Sequence, residues 1–120
     1  MKQLFLFILF LFCLASTAFP GEVDVVAVEF QQDNDGTYRF NVTLRHTDTG
    51  WDHYSDRWEV LALDGTILGT RVLAHPHVDE QPFARSLSGV KIPKGVKKVE
   101  IRGHDSVHAF GGEAMIADLN

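Results

Sequence analysis

Tyr38-Arg39-Phe40-Asn41-Val42-Thr43-Leu44-Arg45-His46 is the stretch that decides the fold. Apolar side chains stand at 38, 40, 42 and 44, and charged or polar ones at 39, 41, 43 and 45. Successive side chains of a strand point to opposite faces, so this period of two makes a half-buried β-strand with one apolar face and one solvated face. His46 continues the apolar line, which puts its ring at the rim of the core. No stretch of the chain offers a competing apolar period of 3.6.

Strand signals continue on both sides of this segment. Upstream, Asp33-Asn34-Asp35-Gly36 is a turn, and the Val-rich segment from Glu22 to Gln31 reads as the first strand. Downstream, Arg57 to Leu63 is the third strand, with Trp58, Val60 and Ala62 on one face. Asp64-Gly65 reads as a two-residue type I′ hairpin turn, since glycine accepts the positive φ that turn demands. Thr66 to Ala74, Arg85 to Ile92, Val96 to Arg102 and Ala114 to Leu119 complete the set, and Met115 reads as core. Seven short strands with turn signals between them predict an all-β fold: a single seven-stranded antiparallel β-sandwich of the immunoglobulin or fibronectin type III kind. Trp58 suits the buried Trp of such folds, whereas the antibody disulfide and tyrosine corner are missing.

The chain opens differently. Lys2 precedes an apolar run from Leu4 to Ala15, followed by the small residues Ser16-Thr17-Ala18. This predicts a secretory signal peptide over residues 1–18, cleaved after Ala18, with the sandwich over 19–120. The run is short of the ~20 apolar residues that span a bilayer, so no stable membrane insertion is expected after cleavage. Phe12 before Cys13 is too large for a lipoprotein cleavage site. Cleavage removes the one cysteine, so the domain has neither a disulfide nor a thiolate ligand. It also removes Lys2 and takes the formal charge from −5 to −6, which excludes the basic face a nucleic-acid partner requires. A periplasmic or secreted location follows.

If consecutive strands lie antiparallel, their connections fall at alternate ends. The turns at 33–36, 64–65 and 93–95 share one end and contain no histidine. The segments 46–56, 75–84 and 103–112 share the other end and hold all six histidines of the chain. Loops on a rigid scaffold are a common seat of function. Neutral imidazole is the commonest biological metal ligand, and Zn(II) and Cu(II) both accept several, with a carboxylate or water completing the shell. His53, His75, His77, His104 and His108 are the candidate ligands. The His75-x-His77 pair lies on one side of an extended backbone, and His104 and His108 converge if their loop curls. His46, Asp52, Asp79, Glu80 and Asp105 are additional ligands or acceptors that orient the imidazoles. A hydrogen-bonded network of the same residues without a metal, with His104 paired to Asp105, accounts for the pattern too. Trp51 and Tyr54 either cover the end of the core together with Phe83 and Phe110, or stack on a partner. Arg57, Arg71 and Arg85 are expected to pair with loop acids.

The segments Gly50-Trp-Asp-His-Tyr-Ser-Asp-Arg-Trp58 and His75-Pro-His-Val-Asp-Glu-Gln-Pro-Phe83 resemble those of small uncharacterised bacterial exported proteins, a group without an established activity. The His-x-His pair alone is similar to the one on the sandwich of copper, zinc superoxide dismutase, whose disulfide and other ligand spacings are absent. Superoxide reductases use histidines plus a cysteine on such a fold. Small periplasmic copper-handling sandwich proteins are similar in size and location. Three functions remain open: a protein that binds Cu(II) or Zn(II), an enzyme with an open coordination position at the same site, or a metal-free module that contacts another exported protein or a glycan. The small size favours binding over catalysis.

Overall fold

A computed structural model describes residues 21–120, so the proposed leader lies outside the described residues. The described residues form seven strands and no helix: β1 (Asp24–Gln32), β2 (Tyr38–Arg45), β3 (Ser55–Ala62), β4 (Ile67–Val72), β5 (Phe83–Val90), β6 (Lys98–Asp105) and β7 (Met115–Asp118). They make two antiparallel sheets, one in the order β1-β2-β5 and the other β4-β3-β6-β7. Among these residues no helix is long and apolar enough to cross a membrane.

The alternation in 38–46 does what its pattern dictates. Phe40, Val42 and Leu44 are fully buried, and His46 follows them inward at 3% exposure. From the facing sheet, β6 sends Val99, Ile101, Gly103 and Asp105 inward. Trp58 and Val60 of β3 fill the space between, joined by Val23, Val25, Phe83 and Val90. The two inward lines therefore run through hydrocarbon and end, at the same end of the sandwich, on a histidine and an aspartate.

Three local readings change. Only Gly65 (φ +95°) has a positive φ in the β3–β4 turn, so this is not a type I′ turn. Gly65 N–H donates to Ala62 O (2.9 Å) and Ala62 N–H to Thr66 O (2.9 Å), a three-residue loop closed by a left-handed glycine. Phe83 begins β5 and is core, its side chain drawn inward by pairing with Leu44, rather than part of a loop lid. Met115 opens the short edge strand β7 and is 37% exposed, because among the described residues no strand pairs with its outer edge.

Candidate metal centre

Asp105 is the last residue of β6 and its carboxylate faces both ways. Oδ1 accepts the backbone N–H groups of Val107 (2.6 Å) and His108 (3.0 Å), a turn in which an aspartate folds the following backbone around itself. Asp105 and Ala109 exchange two backbone hydrogen bonds of 2.9 Å, and Ala109 closes the turn at φ +57°. Oδ2 accepts from the Nε2 atoms of His46 (2.5 Å) and His53 (2.8 Å) and lies 3.7 Å from Nδ1 of His108. Burial raises the Asp105 pKa, but the two backbone donors and the His53 and His46 rings outweigh it and bring it down to about 2.

His46, His53 and Asp105 each offer a ligand atom, and these atoms all lie within 4.8 Å of one another. The rings of His53 and His108 sit with centres 5.0 Å apart, edge to face, so His108 adjoins the group. His46 and Asp105 are fully buried in their side chains, His53 is 22% exposed and His108 46%. The group thus has a closed floor and an open mouth.

The other ring nitrogen of His46, Nδ1, bonds Oδ1 of Asp48. Asp48 is itself fully buried and was not singled out by the sequence, where it stands between two threonines. Its Oδ1 also accepts from Ser55 N–H (3.2 Å) and Ser55 Oγ (3.1 Å), and its Oδ2 from His77 N–H (2.7 Å). One carboxylate therefore fixes the His46 ring and ties the 46–54 loop to the 73–82 loop. The signal for it was the His46-x-Asp48 spacing, which lets a loop aspartate reach back to the ring two residues earlier.

The remaining candidates separate from this group. His75 and His77 lie against each other (ring centres 4.6 Å apart), and His77 stacks on Phe83 at 3.9 Å. His77 Nε2 accepts from Arg85 (3.0 Å), and its Nδ1 is buried without a partner among the described residues. Glu80 is exposed and bonds Arg85 at 3.1 Å. Asp52 and Asp79 are exposed. His104 precedes Asp105 on the strand and so points to the opposite face, where its Nδ1 meets Asp56 (2.6 Å) and Arg57 (3.2 Å). The expected His104–Asp105 pairing is excluded by this alternation. Trp51 is 67% exposed and meets Tyr54 edge-on at 5.5 Å, so it does not seal the core. Arg57 and Arg85 pair with acids, and Arg71 instead donates to Ser86 O (3.2 Å).

Comparison with known proteins adds one relative. A protein of Halomicrobium mukohataei named "Putative lipoprotein" is 43% identical over 97 residues, which are 81% of this chain and 47% of that protein. The chain thus spans about half the length of this relative. No protein-family description matches the chain, and no solved structure matches it.

Proposed function

We propose that this is an exported sandwich domain that holds one divalent transition-metal ion, Zn(II) or Cu(II), through His46, His53, His108 and Asp105. The observation that carries the reading is the meeting of two imidazole nitrogens and a buried carboxylate oxygen within 4.8 Å. Electrostatics support it. Asp48 and Asp105 are both buried, and among the described residues their basic side-chain partners are imidazoles, with no lysine or arginine. A divalent cation would balance two carboxylates that otherwise depend on ring protons. The bond from His46 to Asp48 turns Nε2 toward Asp105, the arrangement by which a carboxylate orients a metal-bound histidine. Nitrogen and oxygen donors without a thiolate suit Zn(II) and Cu(II) and supply no soft site for Cu(I).

The finer fold reading belongs to the same proposal. With β4 beside β3 rather than on the β1-β2-β5 sheet, the strand order departs from the antibody constant arrangement and supports a fibronectin type III kind of sandwich. The apolar leader over 1–18 and the name of the relative support export, with the sandwich over 19–120. The ion is the first partner; the exposed Trp51 favours, as a second reading, contact with another exported protein or a glycan.

The test is metal retention. The protein, free of any affinity histidines, is loaded with Zn(II) or Cu(II), desalted, and assayed by mass spectrometry at about pH 7.5 and about pH 5. About one ion per chain is expected at the higher pH and loss at the lower, since protonated imidazole does not ligate. His53→Ala and His108→Ala should abolish retention, and His77→Ala should keep it. Failure of the wild-type chain to hold either ion at either pH removes the proposal and leaves the metal-free contact surface as the reading to pursue.

A further inference from the structure

The carbonyl oxygen of Gly21 lies among the imidazole nitrogens. It is 3.2 Å from His46 Nε2, 3.2 Å from His53 Nε2 and 2.9 Å from His108 Nδ1. Nitrogen and oxygen ligands bonded at about 2.1 Å to one ion, at right angles to each other, stand about 3 Å apart. These are the distances of ring N–H groups donating to the carbonyl, and they equal the spacing of neighbouring ligands around one ion, so the Gly21 oxygen needs no movement to join the three rings on an ion.

The sequence builds this placement. Gly21 has φ +96°, and a Cβ on it would come within 3.1 Å of the His108 ring. Val23, two residues on, is 1% exposed and anchors the segment in the core. Three glycines open the slot in which it lies. A Cβ at Gly103 would stand 2.3 Å from Val23 Cγ1, one at Gly112 2.0 Å from Val23 O, and one at Gly111 1.9 Å from Glu22 Oε2. Hydrogen bonds hold the segment down: Val25 N–H donates to Glu113 O, and Glu113 N–H to Asp24 Oδ1, each at 2.8 Å. Gly103 is where the inward line of β6 would otherwise carry a side chain, and Gly111 and Gly112 follow the Asp105 turn. The residues that place Asp105 and His108 thus also place Gly21.

We propose that the Gly21 carbonyl oxygen is a further ligand of the same ion, so that the segment 21–25 closes the site and the ion fastens the segment. This rests on the three-histidine, one-aspartate reading above. It deepens that reading by giving the ion three nitrogens and two oxygens from this chain. Such a shell leaves a five-coordinate ion no position for a small substrate, which makes the site one for holding an ion. Release then requires the segment to lift.

The protein, as processed by the cell, is grown with [1-13C]glycine, loaded with Cu(II) and examined by pulsed electron–nuclear double resonance. Imidazole nitrogen couplings together with a through-bond 13C coupling are expected, the latter absent from Gly21→Ala prepared in the same way. Nitrogen couplings with no 13C coupling in the wild-type chain would overturn this inference and leave the histidine site standing; retention of neither copper nor zinc would overturn both. Val23→Ala, which loosens the anchor without altering a ligand, is expected to surrender zinc to a chelator at least tenfold faster than wild type. An unchanged rate in a folded Val23→Ala would overturn the fastening.

Discussion

His46 and His77 are both buried histidines at the same end of the sandwich, yet their surroundings are opposite in sign. His46 has a carboxylate at each ring nitrogen, Asp48 on one side and Asp105 on the other. His77 has the Arg85 guanidinium at Nε2, an apolar ring beneath it and, among the described residues, no partner at Nδ1. Burial, then Arg85 and His75, hold the His77 pKa below the usual imidazole value. Burial by itself therefore does not mark a metal ligand; the charge of the neighbours does. A pocket with two carboxylates gains from a cation, and a pocket with a guanidinium gains from a neutral ring. Asp48 touches both pockets, with Oδ1 on the His46 ring and Oδ2 on the His77 backbone.

The hardest blow to this contrast falls on Asp105. Removing one member of a buried charged group costs about 3–5 kcal/mol, and Asp105→Ala is expected to lose that much in urea unfolding along with metal retention. Its carboxyl is lowered to about 2, so its contribution is present above the unfolded value near pH 4 and lost as pH falls through about 2. Asp105→Asn should flatten the stability profile within that window. An Asp105→Ala chain as stable as wild type would mean that the cluster is incidental.

Asp48 comes next. It bonds the His46 ring nitrogen that points away from Asp105, and carboxylates that orient a metal-bound histidine in this way cost roughly 10–100-fold in metal affinity when removed. Asp48→Asn is expected to weaken zinc binding by that factor in a competition titration, and also to lower stability by loosening the His77 loop. A loss as complete as that in His53→Ala would make Asp48 a ligand, and the two pockets would no longer be distinct.

Much of the architecture was legible in the sequence and the grouping of the histidines was not. The strict alternation of Phe40, Val42 and Leu44, the turns at Gly36 and Gly65, and the parity of the loops suffice to bring all six histidines to one end. Which of them meet depends on where β6 stops. Read as a loop from 103, the segment invites His104 and His108 to converge. Because the strand runs on to Asp105, its alternation sends His104 out to Asp56 and Asp105 in to His46. Three more residues of strand, 103 to 105, thus decide which side chains of the candidate site meet. Asp48 and Gly21 were hard to read for another reason: Asp48 shows only as a two-residue spacing from His46, which is too common to single it out, and Gly21 offers only its backbone carbonyl, which leaves no motif.

The neutral pocket gives a gentler test. A histidine with a lowered pKa favours the deprotonated ring in the fold, so its stability is present above pH 6.5 and falls away as pH drops toward the lowered value. His77→Phe keeps the flat ring against Phe83 and removes the buried unpartnered nitrogen. It is expected to stay within about 1.5 kcal/mol of wild type at neutral pH and to resist acid better as pH falls below 6.5 in urea melts. Metal retention should be untouched. If His77→Phe released zinc, the division between the two pockets would fail.

The smallest effect is expected at His75, and it tests the electrostatic half of the comparison alone. His75 is exposed, and its Nδ1 reaches the neighbouring Pro76 carbonyl at 3.0 Å. Losing so local a contact at the surface should leave stability within about 0.5 kcal/mol at neutral pH. His75 is nevertheless one of the charges that lower the His77 pKa, after burial and Arg85. In His75→Ala that opposition is gone, and His77 should protonate at a higher pH than in wild type, though still below an unburied ring. Nuclear magnetic resonance of the His77 ring through a pH titration reads this directly. An upward move with zinc retention intact would show that the His75–His77 pair acts through charge rather than coordination. A zinc-dependent shift of the His77 signals in the wild-type chain, lost in His75→Ala, would instead make the pair a metal site in its own right.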